Sequence, residues 1–159
     1  MKLLLAASVA LLMSTSVRAA PWRVDTLTLT SGVLHSTVQF SDDGDYALVI
    51  ECMAGGGDFT IYVESPFDWE DGASYAPEVP ATLVVDGAAI SNVMFHFDER
   101  QLGEGIAAVP QGQAEAFEAM LARLHDATGP IELRYFDRAA TFSAEDLGEA
   151  LQTIRRACA

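Results

Sequence analysis

Two cysteines, Cys52 and Cys158, stand 106 positions apart and are the only two in 159 residues. If they are joined, most of the chain is closed into one loop, and few folds bring those two positions together. Whether they join depends on the compartment, and the N-terminus bears on that. Met1-Lys2 is a short positive start, residues 3–13 are apolar, and Ser14-Thr15-Ser16-Val17-Arg18-Ala19 turns polar and ends in small residues. Val17 and Ala19 suit the −3 and −1 positions of a signal-peptidase site, so residues 1–19 read as a signal peptide and 20–159 as a single exported domain. The apolar run is too short for a membrane anchor, and no cysteine follows it to carry lipid. The expected location is periplasmic or secreted, with no membrane insertion of the mature chain. In such an oxidising compartment two cysteines most simply form one disulfide.

The local patterns agree with a bond. Tyr46, Leu48, Ile50 and Cys52 alternate, which puts them on the inner face of a strand. Leu147, Ala150, Leu151, Ile154 and Cys158 recur on one face of a helix. Both cysteines then point inward from elements that can pack together. A metal site is poorly served by two cysteines without CxxC spacing or a nearby histidine pair. A reactive thiol wants cationic neighbours or a helix N-terminus, whereas Cys52 follows Glu51 and Cys158 sits at a helix C-terminus.

The rest of the chain reads as strands first and helices later. Strands are expected over 24–30, 33–40, 46–52 and 59–64, with Asp43-Gly44 and the Gly55-Gly56-Gly57 run as turns. In the second of these strands Leu34, Val38 and Phe40 share one face. Val33, His35, Thr37 and Gln39 share the other, which is read as solvent-facing. A hairpin around Asp86-Gly87 is expected to join strands at 81–85 and 90–97. Residues 113–126 form an amphipathic helix with Phe117, Met120, Leu121 and Leu124 on its stripe, ended by Gly129-Pro130. A strand follows over 131–136. Ser143, with Asp146 three residues on, reads as the N-cap of a closing helix over 144–157. Tight turns between strands imply antiparallel pairing. The expected fold is α+β: an antiparallel sheet or small sandwich with two amphipathic helices in the C-terminal half and one disulfide.

Charge excludes some functions. The net charge is −14, and loss of residues 1–19 removes Lys2 and Arg18, leaving seven arginines against 23 acids and a net charge of −16. No lysine then remains. Between Val24 and Glu99 there are 14 acids and no Lys or Arg. Neither nucleic acid nor an anionic lipid surface suits such a chain as main partner.

A search for chemistry yields little. His35, His96 and His125 show no i, i+3 or i, i+4 pairing and no HExxH, so no helix presents paired metal ligands. No GxSxG elbow is present, and the three glycines lack the lysine of a phosphate loop. His96, between Phe95 and Phe97 and ahead of Asp98-Glu99, supports a small hydrolase as an alternative; its plainer reading is a surface histidine on a hairpin. The acidic turns at Asp42-Asp43-Gly44-Asp45 and Asp68-Trp69-Glu70-Asp71-Gly72 miss the EF-hand register. They leave a calcium or cationic-partner binding module as a further alternative. No catalytic, cofactor or metal residue is assigned and no cofactor is expected. The loop over 65–80 mixes acids with Phe67, Trp69 and Tyr75, a candidate partner-binding loop, although the same rings could cap the end of the core.

Three of these segments carry a resemblance. They are the strand Tyr46-Ala47-Leu48-Val49-Ile50-Glu51-Cys52, the turn Val84-Val85-Asp86-Gly87, and the stretch from Phe142 through Leu151 to Cys158. Over residues 46–158 this layout resembles small exported bacterial proteins of the invasion-associated locus B type and the periplasmic type VI secretion-associated VasI type. That resemblance implies a non-catalytic periplasmic or envelope-associated accessory domain, with an unidentified protein or envelope component as partner. It supplies no catalytic residue.

Overall fold

The computed structural model describes residues 21–65, 78–90, 92–100 and 103–159. The expected signal peptide and the aromatic positions Phe67, Trp69 and Tyr75 lie outside the described residues. In chain order the elements are β1 (Arg23–Leu29), β2 (Gly32–Phe40), β3 (Ala47–Met53), β4 (Phe59–Glu64), β5 (Ala81–Val85), β6 (Ala88–Ile90), β7 (His96–Arg100), β8 (Gly103–Ala108), α1 (Ala114–His125), β9 (Ile131–Tyr135), β10 (Arg138–Phe142) and α2 (Leu147–Cys158). Every strand pair is antiparallel. The strands form two sheets, ordered β1-β2-β3-β4-β8-β7 and β10-β9-β5-β6. The α+β class is therefore as expected.

Turn chemistry explains the hairpins. Between β2 and β3 the Ser41 hydroxyl donates to the Asp43 carboxylate and accepts the Tyr46 N–H, while the Asp45 N–H donates to Asp43. Those donors, Ser41 first, hold the Asp43 carboxyl below the usual carboxylate range. Between β5 and β6, Asp86 (φ 51°) and Gly87 (φ 75°) are both left-handed, the geometry of a two-residue turn that matches strand twist.

The core is one contiguous cluster drawn from both sheets and both helices. Leu48, Ile50 and Cys52 of β3 and Ile61 and Val63 of β4 belong to the same cluster as Leu83, Val85, Ile131 and Leu133 of the second sheet. Helix α1 contributes Phe117, Met120, Leu121 and Leu124; α2 contributes Leu147, Ala150, Leu151, Ile154 and Cys158. Helix α2 lies against β1, β2, β3 and α1. Cys52 and Cys158 are bonded, with their Cα atoms 6.1 Å apart, and both are buried. The Gly55 N–H donates to the Cys158 carbonyl at 3.1 Å, so a backbone bond sits beside the covalent one. At the start of the described chain the Trp22 indole N–H donates to the Ser143 carbonyl at 2.8 Å.

Five details differ from the sequence reading, the first being β8, which was not expected between the strand at 90–97 and the helix at 113–126. The face of β2 read as solvent-facing is the inner one: Thr37 pairs with Ile50 and Gln39 with Leu48, and both are buried. Leu34 and Val38 point to the opposite face with Phe40, which is 52 % exposed. Register with β3 decides the matter, because a strand's two faces are fixed by its neighbour as well as by its own pattern. The strand expected over 90–97 is split. Asn92 (φ 70°) reverses the chain, β6 stops at Ile90, and β7 joins the other sheet. Strand β10 was not expected, since its turn at Phe136 (φ 51°) and Asp137 carries neither Gly nor Asn. Helix α2 begins at Leu147 behind a left-handed Asp146 (φ 67°), and Ser143 accepts the Glu145 N–H instead of capping the helix. No helix among the described residues is long and apolar enough to cross a membrane.

Candidate functional site

An open groove of about 890 Å³ lies between the edge of β6 and α1. Its near wall exists because the β5–β6 hairpin is held in place from below. The Asp86 carboxylate accepts the backbone N–H groups of Thr128 and Gly129, which fastens the hairpin to the loop after α1. The left-handed turn at Asn92 then brings Met94 opposite Gln113. There a side-chain amide takes the place of a strand neighbour. The Met94 N–H donates to Gln113 Oε1 at 2.6 Å, and Gln113 Nε2 donates to the carbonyls of Met94 (2.9 Å) and Val109 (2.8 Å). All polar atoms of that amide are engaged, so Gln113 serves to position Met94 and the first turn of α1.

The far wall is α1 itself. Its bulky residues face the core, which leaves small ones, Ala116 and Ala119, on the groove side. Ile90 and the half-exposed Met94 supply the apolar part. Glu115 stands in the first turn of the helix and Arg123 in the last, where Arg123 donates to the Val85 carbonyl at 3.2 Å. Each charge suits its end of the helix dipole. The described lining holds no Ser, Cys, His or Lys. The described lining presents apolar surface, two opposite charges and the edge of a short strand.

The sequence-singled residues do not converge on this groove. His96 lies on β7 opposite Ala107, whose other neighbour is Tyr62, on the face away from the core. His35 is half-buried on β2 beside Thr26, with Oγ1···Nδ1 at 3.1 Å. His125 contacts Asp126 at the C-terminus of α1, at 2.7 Å. Among the described residues no group of three His, Cys, Asp or Glu is placed to hold a metal ion. The carboxylate of Asp43 is engaged in its own turn. Gln113 and Arg123, which shape the groove, carry no motif; in the sequence Gln113 is only the first residue of the expected helix over 113–126, whereas it precedes α1. No family model matches the chain, and neither a curated protein nor a solved structure matches it.

Proposed function

We propose that the chain is a non-catalytic accessory domain, periplasmic or secreted, that works by binding. The observation that carries this reading is the groove along α1, which offers apolar contact and two opposite charges in place of a nucleophile or an acid–base pair. The Cys52–Cys158 bond supports an oxidising destination for the chain. The resemblance to exported proteins of the invasion-associated locus B and VasI types is consistent with that role in the envelope or in secretion, with a protein or envelope component as partner.

The test is a comparison of two immobilised proteins, the wild type and Ala119→Arg, panned against a displayed peptide library. Ala119 is a groove residue, so the larger side chain fills the groove without entering the core. Peptides enriched on the wild type and lost on the variant are the expected result. Absence of any enrichment that depends on the open groove removes the groove from the reading. Turnover of ester or peptide substrates that is abolished by His96→Ala would replace the reading with the hydrolase.

A further inference from the structure

Four strands lie at sheet edges, and three of them are blunted. Strand β7 carries Asp98-Glu99-Arg100 in succession, β6 is three residues long, and the Thr141 carbonyl of β10 is taken by the Asp42 N–H. Strand β1 is different. All seven of its residues are exposed, it contains no Pro and no Lys, and its register with β2 runs unbroken from Arg23–Val38 to Leu29–Gly32. Natural edges of this length normally carry a bulge, a proline or an inward charge that prevents pairing. The two charges of β1, Arg23 and Asp25, meet each other at 3.4 Å. In a chain of net charge −14 this edge is thus a locally neutral strip.

A second observation is independent of the backbone. On the face away from the core, Leu27, Leu34 and Met53 form a row across β1, β2 and β3. Leu27 is 56 % and Leu29 41 % exposed. The Met53 methyl lies 2.9 Å from where a Cβ on Gly32 would stand, so the row is closed over the glycine. This apolar ridge runs up to the β1 edge and ends there in the open.

We propose that the β1 edge pairs antiparallel with the β1 edge of a second copy, making one continuous sheet across a two-fold axis. The register follows from hydrogen-bond alternation. Thr30-Ser31 is a two-residue turn closed by the Leu29–Gly32 pair. Leu29, Leu27, Asp25 and Arg23 therefore bond to β2, and Val24, Thr26 and Thr28 turn their N–H and C=O groups outward. Two self-pairings satisfy that alternation over most of the strand. Centring on Thr26 brings the two Asp25 carboxylates onto the same face within about 8 Å, inside a Debye length. Centring on Leu27 separates them to about 14 Å and pairs Thr26 of each copy with Thr28 of the other. It also sets the two Leu27 side chains against each other in a non-hydrogen-bonded pair, where side chains approach most closely. The Leu27-centred arrangement is the one the charges favour, and an isologous contact of this kind closes as a dimer.

The experiment is sedimentation velocity on the mature chain across micromolar concentrations and a range of salt. A species of twice the monomer mass is expected, and it should tighten as salt rises, because the repulsion between two acidic copies is screened while strand pairing is not. Leu27→Lys is expected to weaken association by at least about tenfold with an unchanged circular dichroism spectrum, since it places like charges across the axis. Leu27→Cys is expected to cross-link to itself on mild oxidation, the Cα separation of such a pair falling in the range a disulfide spans, whereas Asp25→Cys is not. A chain that stays monomeric at all concentrations, a dimer indifferent to Leu27→Lys, or cross-linking at Asp25→Cys in place of Leu27→Cys each overturns the proposal.

Discussion

The disulfide makes the most quantitative demand on the chain. Cys52 and Cys158 are 106 residues apart. In the loop-entropy account a closure of that length removes about 16 cal/mol/K from the unfolded ensemble, or about 4.8 kcal/mol at 25 °C. The effect acts on the unfolded chain, so reduction of the wild-type protein should reveal it while both sulfurs stay buried. Replacing both cysteines by Ala goes further, because the two positions are 2 % and 1 % exposed and lose packing as well. That adds about 1–2 kcal/mol. For a chain of this size the reduced protein should melt about 10–20 °C lower than the oxidised one. Urea titration of oxidised, reduced and C52A/C158A protein gives the three free energies, and the slope should rise when the bond is absent, since a less constrained unfolded chain exposes more surface. Non-reducing mass analysis accompanies the titration. A stability loss below about 1 kcal/mol on reduction would mean that the backbone bond from Gly55 to the Cys158 carbonyl and the packing of α2 already hold this corner, and the entropic reasoning fails. Two free thiols in protein prepared under oxidising conditions would refute the bond itself.

Four further outcomes follow from single sites. Thr37 is fully buried, and its hydroxyl has no hydrogen-bond partner among the described residues; Thr37→Val should raise stability by about 1 kcal/mol in urea titration, and a loss would show that the hydroxyl is satisfied. Gly105→Ala should destabilise by about 1–3 kcal/mol, because a Cβ there would overlap the Tyr62 ring; a neutral result would mean the ring can move aside. The pH profile has two limbs with named causes. Asp43 is held ionised by the Ser41 hydroxyl, so its contribution is present above the unfolded value of about 3.9 and is lost as pH falls through the lower folded value. Asp43→Asn should remove that part of the acid limb. Burial, followed by the nearby Tyr135, raises the Tyr46 phenol, so its contribution is present below about 10 and is lost as pH rises through the folded value. Tyr46→Phe should flatten the alkaline limb in melts taken across pH, and an unaltered limb in either variant would show that other groups set it.

What could be read in the chain was whatever a single segment decides. The alternation of Tyr46, Leu48, Ile50 and Cys52, the stripe of α1 and the face of α2 each fix their own inward side, and all are buried as the pattern requires. Asp86-Gly87 was legible because a left-handed pair has a residue preference. Phe136-Asp137 makes a turn without that preference, held instead by the pairing of β9 with β10, so the strand after it left no trace. The groove was invisible for a related reason: Gln113 acts on Met94, nineteen positions away, and nothing in either residue alone announces the contact.

Strand β2 takes this further. Its apolar alternation is genuine, yet Leu34 and Val38 lie on the face away from the core, while Thr37 and Gln39 go inward opposite Ile50 and Leu48. A one-residue slip of register would put the apolar set inside and two polar side chains outside, and local pattern alone favours that slip. The slip is opposed by β3, whose own alternation and whose bond to α2 through Cys52 leave its register no freedom. The consequence is an apolar outer row with no covering element among the described helices, lying beside the least protected edge of the sheet. An arrangement in which polar groups are buried so that Leu27, Leu34 and Met53 stand outside is costly for an isolated copy. It becomes intelligible if that row continues across β1 into a second copy. Burial of Thr37 and association through Leu27 are then two ends of one register choice. Gln39→Leu, which removes a buried polar group without touching the outer face, should stabilise the monomer and leave the dimer affinity unchanged.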